Sequence, residues 1–269
     1  MTAVTHATRS FRRPASVGAF GAFVRLEVRR ALRNRRYVMF AVAFPVVFYA
    51  LYTGVLSGTS ADATAIVGGI PWRTYFMVSM ATYGAIGAAL GGAILIAQER
   101  DGGWARQLRV TPLPSSAYVA GKLVVAYLVT VPAIAAVLVA GLVIGHVELA
   151  APVWLAVLAV LALGSLPFAA LGLLIGYTFD ANSAQGAMMI SFFTLAILGG
   201  LWAPLSSFPD TLATIGRMLP SSRLAELGRD AAAGVTPDPA AIAILAASAI
   251  VIGGLAAWRY RSAEPSVHA

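Results

Sequence analysis

Apolar residues run along this chain in blocks long enough to cross a bilayer, separated by short polar stretches. A hydrocarbon core about 30 Å thick needs roughly 20 apolar residues of helix. Six segments meet that need: Val38 to Leu56, Tyr75 to Ala97, Tyr118 to Ile144, Pro152 to Tyr177, Ala184 to Leu205 and Ala240 to Trp258. The pattern predicts an all-α integral membrane protein, with six transmembrane helices in residues 38–258, a polar N-terminal segment 1–37 and a tail 259–269. Pro45, Pro132 and Pro167 fall inside these blocks and are expected to kink their helices.

The polar stretches carry patterns of their own. Phe20, Phe23, Val24, Val28, Ala31 and Leu32 recur at helical spacing, with Arg25, Arg29, Arg30, Arg33 and Arg36 on other faces. From Gly18 on, this predicts an amphipathic helix lying in the membrane interface, its arginines at anionic headgroups and its apolar stripe in the acyl boundary. Phe20, Phe23, Val24, Arg25, Arg29 and Arg33 are its candidate lipid contacts. Met1 to Ser16 reads as a basic flank. Between the fifth and sixth blocks, Ser206 to Pro239 holds two helix starts, at Pro209 and Pro220. Leu212, Ile215, Leu219, Leu224 and Leu227 make the two short helices amphipathic, able to dip into the outer leaflet or cap a cavity mouth. Gly87 with Gly91, and Gly172 with Gly176, have the spacing that lets helix backbones approach closely, within the chain or at a dimer seam.

Composition supports the membrane reading and narrows the chemistry. Of the 269 residues 59% are hydrophobic and 11% charged, where a soluble domain carries about a quarter charged. The net charge of +8 is distributed by side, so nucleic acid is not an expected partner. Arginines from Arg9 to Arg36 precede the first block, Arg100, Arg106, Arg109 and Lys122 flank the second loop, and Arg259 and Arg261 follow the last block. Only Arg73, Arg217, Arg223 and Arg229 fall on the other side, which places both termini in the cytoplasm and the chain in the cytoplasmic membrane. The first block is longer than the h-region of a signal peptide, so no cleaved leader is expected.

Catalytic and metal chemistry find no foothold. Cysteine is absent, and His6, His146 and His268 are scattered, so no metal site is expected. No histidine lies within a block to activate a serine. Gly121 and Lys122 resemble the end of a phosphate-binding loop, but Ser116 stands where its first glycine belongs and Leu123 follows the lysine. Glu99, Lys122 and Asp180 sit at cytoplasmic ends and His146 and Glu148 at an outer end, leaving no ionisable group in mid-span for a proton relay. The chain is therefore not expected to be an enzyme or to bind a cofactor itself. Uphill movement would need energy from a separate subunit.

That energy has one plausible door, the charged island Gln98 to Pro114, QERDGGWARQLRVTPLP. Gly102 and Gly103 break the second helix, and Trp104 to Val110 makes about two helical turns before Thr111 and Pro112 stop it. Trp104 and Leu108 share one side, with Arg106 and Arg109 on others, the composition of an interface anchor. Residues alone leave three classes open: a transport subunit powered in trans, a gradient-driven secondary transporter, and a non-transporting scaffold or sensor whose loop recruits a protein.

The stretch ERDGGWARQLRVTPLP resembles the signature between the second and third spans of ABC-2 type permeases, the membrane subunits of ABC exporters. The basic interfacial helix, the six spans and the proline-containing outer segment extend the resemblance along the whole chain. It is most similar to the daunorubicin-resistance type of drug exporter subunit. Trp104 and Ala105 depart from that pattern, which often has a threonine and an acidic residue there. The resemblance implies a type V exporter-like fold and a role in drug, antibiotic or lipid-like export. It implies that Glu99, Arg100, Gly103, Trp104, Arg106, Leu108, Arg109, Thr111 and Pro112 form the coupling element. Two ATP-binding subunits, holding ATP and Mg, would seat on a homodimer or heterodimer of permeases. The path for a hydrophobic or amphipathic cargo would run along the second and fifth spans, at Tyr75, Met77, Thr82, Tyr83, Met188, Met189, Phe192, Phe193 and Thr194. Helix packing or lipid contact is the competing role for each of these.

Overall fold

The second apolar block becomes the axis of the bundle. The computed structural model describes residues 17–33, 39–56, 65–103 and 115–263. Within them α1 spans Val17–Arg33 and α2 Phe44–Leu51, the latter flanked by π-helical turns at Met39–Ala43 and Tyr52–Leu56. A hairpin of β1 (Ile66–Val67) and β2 (Ile70–Pro71) leads into α3 (Trp72–Leu90) and α4 (Gly92–Asp101). Then come α5 (Ser115–Val143), α6 (Ala151–Gly164), α7 (Leu166–Thr178), α8 (Ala181–Leu198), α9 (Asp210–Met218), α10 (Pro220–Ala233) and α11 (Pro239–Ala263). The hairpin was not expected from the sequence. Its turn is Gly68–Gly69 with φ of 59° and 82°, the two left-handed positions a type I′ turn demands.

Five helical stretches among the described residues are long and apolar enough to cross a membrane: Trp72–Asp101, Ala120–Val143, Ala151–Thr178, Ala181–Leu198 and Pro239–Ser262. The first block differs from the expectation of a sixth equal span. Its apolar helix, Ala41–Gly54, is shorter, with Pro45 in the first turn of α2 and a π turn at either end. The fifth block also stops early. Gly200, at φ 71°, ends α8 at Leu198 instead of Leu205. Pro167 goes beyond a kink and breaks the fourth block at Ser165. Without an N–H it cannot bond the Leu163 carbonyl, and the Tyr127 hydroxyl donates to that carbonyl instead, at 3.2 Å. Pro132 by contrast lies within an uninterrupted α5.

Burial ranks the helices. The most apolar stretch of α3 and α4 is 78% buried, against 22% for α8 and 17% for α11, so α3 is central and the last two are peripheral. Polar side chains of α3 bond within the helix: Ser79 donates to the Tyr75 carbonyl at 3.0 Å and Thr82 to that of Val78 at 2.8 Å. Around the axis pack α5, α7 and α10, with α11 laid on α7 and α1 on α5. The glycine pairs serve contacts within the chain. A Cβ at Gly172 would sit 3.1 Å from the Ala89 carbonyl oxygen, and one at Gly176 2.8 Å from that of Ala93. A Cβ at Gly87 would sit 3.3 Å from the Phe192 ring.

The two short helices between α8 and α11 form as the prolines foretell, but α10 belongs to the core. Ser221, Leu224, Leu227 and Gly228 are buried against α6, α3 and α11, and the Ser221 hydroxyl donates to the Leu195 carbonyl at 2.7 Å. Its apolar face is thus covered by protein, so of the two expectations, a dip into the outer leaflet or a cap on a cavity mouth, the first does not hold for α10. In α9, Leu212, Ile215 and Met218 remain exposed.

Candidate functional site

Three consecutive charged residues end α4, and successive helical residues point about 100° apart, so each meets a different neighbour. Glu99 accepts from the Lys122 ammonium of α5 at 2.7 Å and lies 3.7 Å from Arg30 of α1. Arg100 donates to the Gly176 carbonyl at 2.9 Å and lies 5.9 Å from the centre of the Tyr177 ring, both at the end of α7. Asp101 accepts from the Ala181 N–H at 2.8 Å and so helps cap α8. Tyr177 in turn meets Tyr260 of α11 edge to face, at 5.1 Å. One helical turn therefore ties α1, α5, α7 and α8 together directly, and α11 through Tyr177.

The centre of this hub is desolvated. Lys122 also pairs with Glu27 of α1; its side chain is 6% exposed, that of Glu27 2% and that of Glu99 11%. Arg30 reaches Glu27 at 3.4 Å, so among the described residues two carboxylates face two cations. Leu95, Val125 and Leu173 share with the Lys122–Glu27 pair the lining of a small apolar void. Charges in such a setting attract strongly and are costly to leave unpaired. Beside the hub, Asp180 caps α8 through the N–H groups of Asn182 and Ser183, each at 3.0 Å. The bonds from the Ser183 N–H and hydroxyl, foremost among its contacts, hold the Asp180 carboxyl below its ordinary pKa.

Of the coupling residues implied by the resemblance, Glu99 contacts Arg30 of the amphipathic helix, but its shorter contact is to Lys122. Glu27 and Asp101 escaped notice. The signal for Glu27 was available: it is the one acid of α1 and lies in register with Val24 and Val28, which pack on α5 beside Val125 and Val129. Gly103 has φ of 70° and closes the described stretch after α4. Trp104, Arg106, Leu108, Arg109, Thr111 and Pro112 lie outside the described residues. Phe20 and Phe23 belong to α1, their side chains outside the described set, while Arg25, Arg29 and Arg33 are exposed along it.

The residues assigned to a cargo path separate into groups. Tyr75, Met77, Thr82 and Tyr83 are buried in α3, and the Met77 thioether fills the place of a side chain at Gly141. Tyr83 and Phe192 meet at 4.5 Å, within a ring of aromatics closed by Phe44, Phe48, Trp202 and Phe193. The Tyr83 hydroxyl and the Trp202 indole N–H are buried there with no hydrogen-bond partner among the described residues. Met188 is half-buried, whereas Met189, Phe193 and Thr194 line an open hollow on α8.

At the end of the bundle opposite the hub, one charge comes inside from an unexpected direction. Arg229 of α10 lies over the Tyr75 ring at 4.5 Å and donates to Ser79 at 3.4 Å, about two turns into α3. Burial lowers its pKa, against the attraction of Tyr75, Glu226 and Asp230, yet a guanidinium stays charged in proteins. No block contains a mid-span charge of its own, but the connecting segment supplies one. Among the described residues no cluster of His, Asp and Glu is placed to hold a metal ion.

This architecture defines a multi-pass helical membrane protein in which the last turn of α4 is braced by most of the bundle. Residues 68–258 match the family described as ABC-2 family transporter protein. The chain is 31% identical over 196 residues to the putative transport permease YvfS of Bacillus subtilis (strain 168), a match covering 72% of this chain and 78% of that protein. It belongs to the ABC-2 transporter permease family, whose members work with an ATP-binding subunit.

Proposed function

We propose that this chain is the permease subunit of an ATP-driven exporter, lying in the cytoplasmic membrane with both termini inside, and that it has no enzymatic activity of its own. The observation that carries this reading is the hub: Glu99, Arg100 and Asp101 fasten α4 to its neighbours directly before the loop that begins at Gly102. A push on Trp104 to Val110 from a nucleotide-bound subunit reaches α1, α5, α7 and α8 through side chains already in contact. ATP and Mg belong to that partner, two copies of which serve a pair of permeases. Ala41–Gly54 makes the sixth crossing in this reading, and α1 lies along the membrane surface.

The cargo is hydrophobic or amphipathic. The aromatic ring around Tyr83 offers flat apolar surface, and the Tyr83 O–H and Trp202 N–H, without a partner among the described residues, are donors for a cargo carbonyl or ether. Two experiments test the assembly. Purified gently from its native membrane, the tagged chain is expected to bring an ATPase with it, and Trp104→Ala with Leu108→Ala to release that ATPase while leaving the permease inserted. Unchanged co-purification would sink the loop assignment, and a chain that never carries an ATPase favours a scaffold or a gradient-driven carrier. Because the chain has no cysteine, single cysteines report topology without background. Asp210→Cys is expected to react with an impermeant maleimide on whole cells and Ser10→Cys only after lysis; the reverse pattern overturns the orientation.

A further inference from the structure

Helix α1 presents its charges outward in a fixed orientation. Arg25, Arg29 and Arg33 follow one another at four-residue intervals, so their side chains form one row along the helix. All three are exposed, and none makes an ion pair with the described residues. The helix cannot roll to hide them, because the opposite face is pinned: Glu27 is buried on Lys122, and Val24 and Val28 pack beside Ala41, Ala88, Val125 and Val129. The same contacts set its depth. Lys122 and Glu99, which meet Glu27 and Arg30, lie close to the ends of the crossing stretches Ala120–Val143 and Trp72–Asp101, so this part of α1 sits at the level where headgroups meet acyl chains.

The surface between the arginines is not uniformly polar. Gly21, Ala22 and Leu26 line a shallow open hollow together with Arg25 and Arg29, and Leu26 is 45% exposed. Guanidinium groups recognise phosphate oxygens in pairs, and small and apolar neighbours leave room for a glycerol and the first acyl carbons. We propose that this face of α1 is a binding site for one class of ligand, an anionic phospholipid of the adjacent leaflet, with its phosphate between Arg25 and Arg29 and Arg33 adding to the attraction. The arginines keep the headgroup contact read from the sequence, but Val24 and Val28 pack on α5 and not in the acyl boundary, so the lipid meets the charged face alone. An acidic protein surface would also be drawn to three arginines, but the depth of α1 and the apolar hollow favour lipid.

The test uses the purified full chain in neutral detergent, titrated with dioleoyl phosphatidylglycerol or dioleoyl phosphatidylcholine and read by native mass spectrometry. The wild-type chain is expected to prefer the anionic lipid by roughly tenfold, since each basic residue at a membrane surface adds to such attraction. Arg25→Gln, Arg29→Gln and Arg33→Gln together are expected to bring that preference below about twofold, because the charge that sets it is gone. The triple lysine variant is expected to retain part of it. All three positions are exposed, so the variants should elute and melt as the wild type does. Equal binding of both lipids by the wild type overturns the proposal. So does an undiminished preference in the glutamine variant; if that variant instead loses a co-purifying ATPase, the face belongs to a protein partner. The reading is taken on the chain alone, so its failure is distinct from failure of the transport assignment.

Discussion

Lys122→Met is expected to destabilise the protein by about 3–5 kcal/mol, the cost of breaking a buried charge pair by removing one partner. Among the described residues, the variant leaves the Glu27 and Glu99 carboxylates buried together with the half-exposed Arg30 to offset them. Methionine fills much the same volume, so the loss comes from charge and not from a cavity. The companion variant Glu27→Gln with Lys122→Met and Glu99→Gln removes the three buried charges, leaves only the half-exposed Arg30 of the four described here, and is expected to recover most of the loss, because neutral replacement of a buried ion pair is often close to neutral in stability. Thermal unfolding in neutral detergent, followed by size-exclusion fluorescence, compares the three proteins. If Lys122→Met melts with the wild type, the pair is solvated and the hub is not the anchor described here.

The second large effect is steric. Gly176→Val places a Cβ 2.8 Å from both the Ala93 carbonyl oxygen and the Ile96 Cβ, with two further methyl groups to accommodate. A backbone carbonyl cannot swing aside as a flexible side chain can, so α7 must part from α4. Overpacking of this kind costs about 1–3 kcal/mol, and the upper end applies because the displaced Gly176 carbonyl also accepts the Arg100 hydrogen bond. Gly186 of α8 is the control, since a Cβ there meets nothing within 4 Å. Gly186→Val is expected to change stability by no more than about 0.5 kcal/mol. Equal melting of the two variants would remove the close α4–α7 contact.

What the sequence disclosed follows from the range of each signal. The apolar blocks stand out because a membrane helix must be apolar along its whole length, and the helix starts at Pro209 and Pro220 are local chemistry. The glycine spacing pointed to close packing but could not choose between a helix of the same chain and a second copy; only the Ala89 and Ala93 carbonyls decide that. The break at Ser165 was hidden because its compensation, the Tyr127 hydroxyl, lies on another helix. The same holds for the site. Glu99 and Arg100 were legible beside the glycines, but their partners Lys122 and Gly176 are far along the chain. Arg229 escaped as an interior charge because it belongs to a polar connecting segment and becomes interior only when α10 docks on α3.

The run Glu99, Arg100, Asp101 also makes the chain more sensitive to length than to composition at that point. Each residue faces its partner by virtue of its phase on the helix, and a deletion just before Glu99 advances the phase by about 100°. Arg100 would then stand where Glu99 stood, cation against the Lys122 ammonium, and Asp101 would face the carbonyl of Gly176. A single substitution silences one of the three contacts, whereas a one-residue deletion reverses two of them and, with Gly102 in the place of Asp101, removes the third. For folding, a change of length in this turn should therefore be far more damaging than a substitution at any one of its three positions.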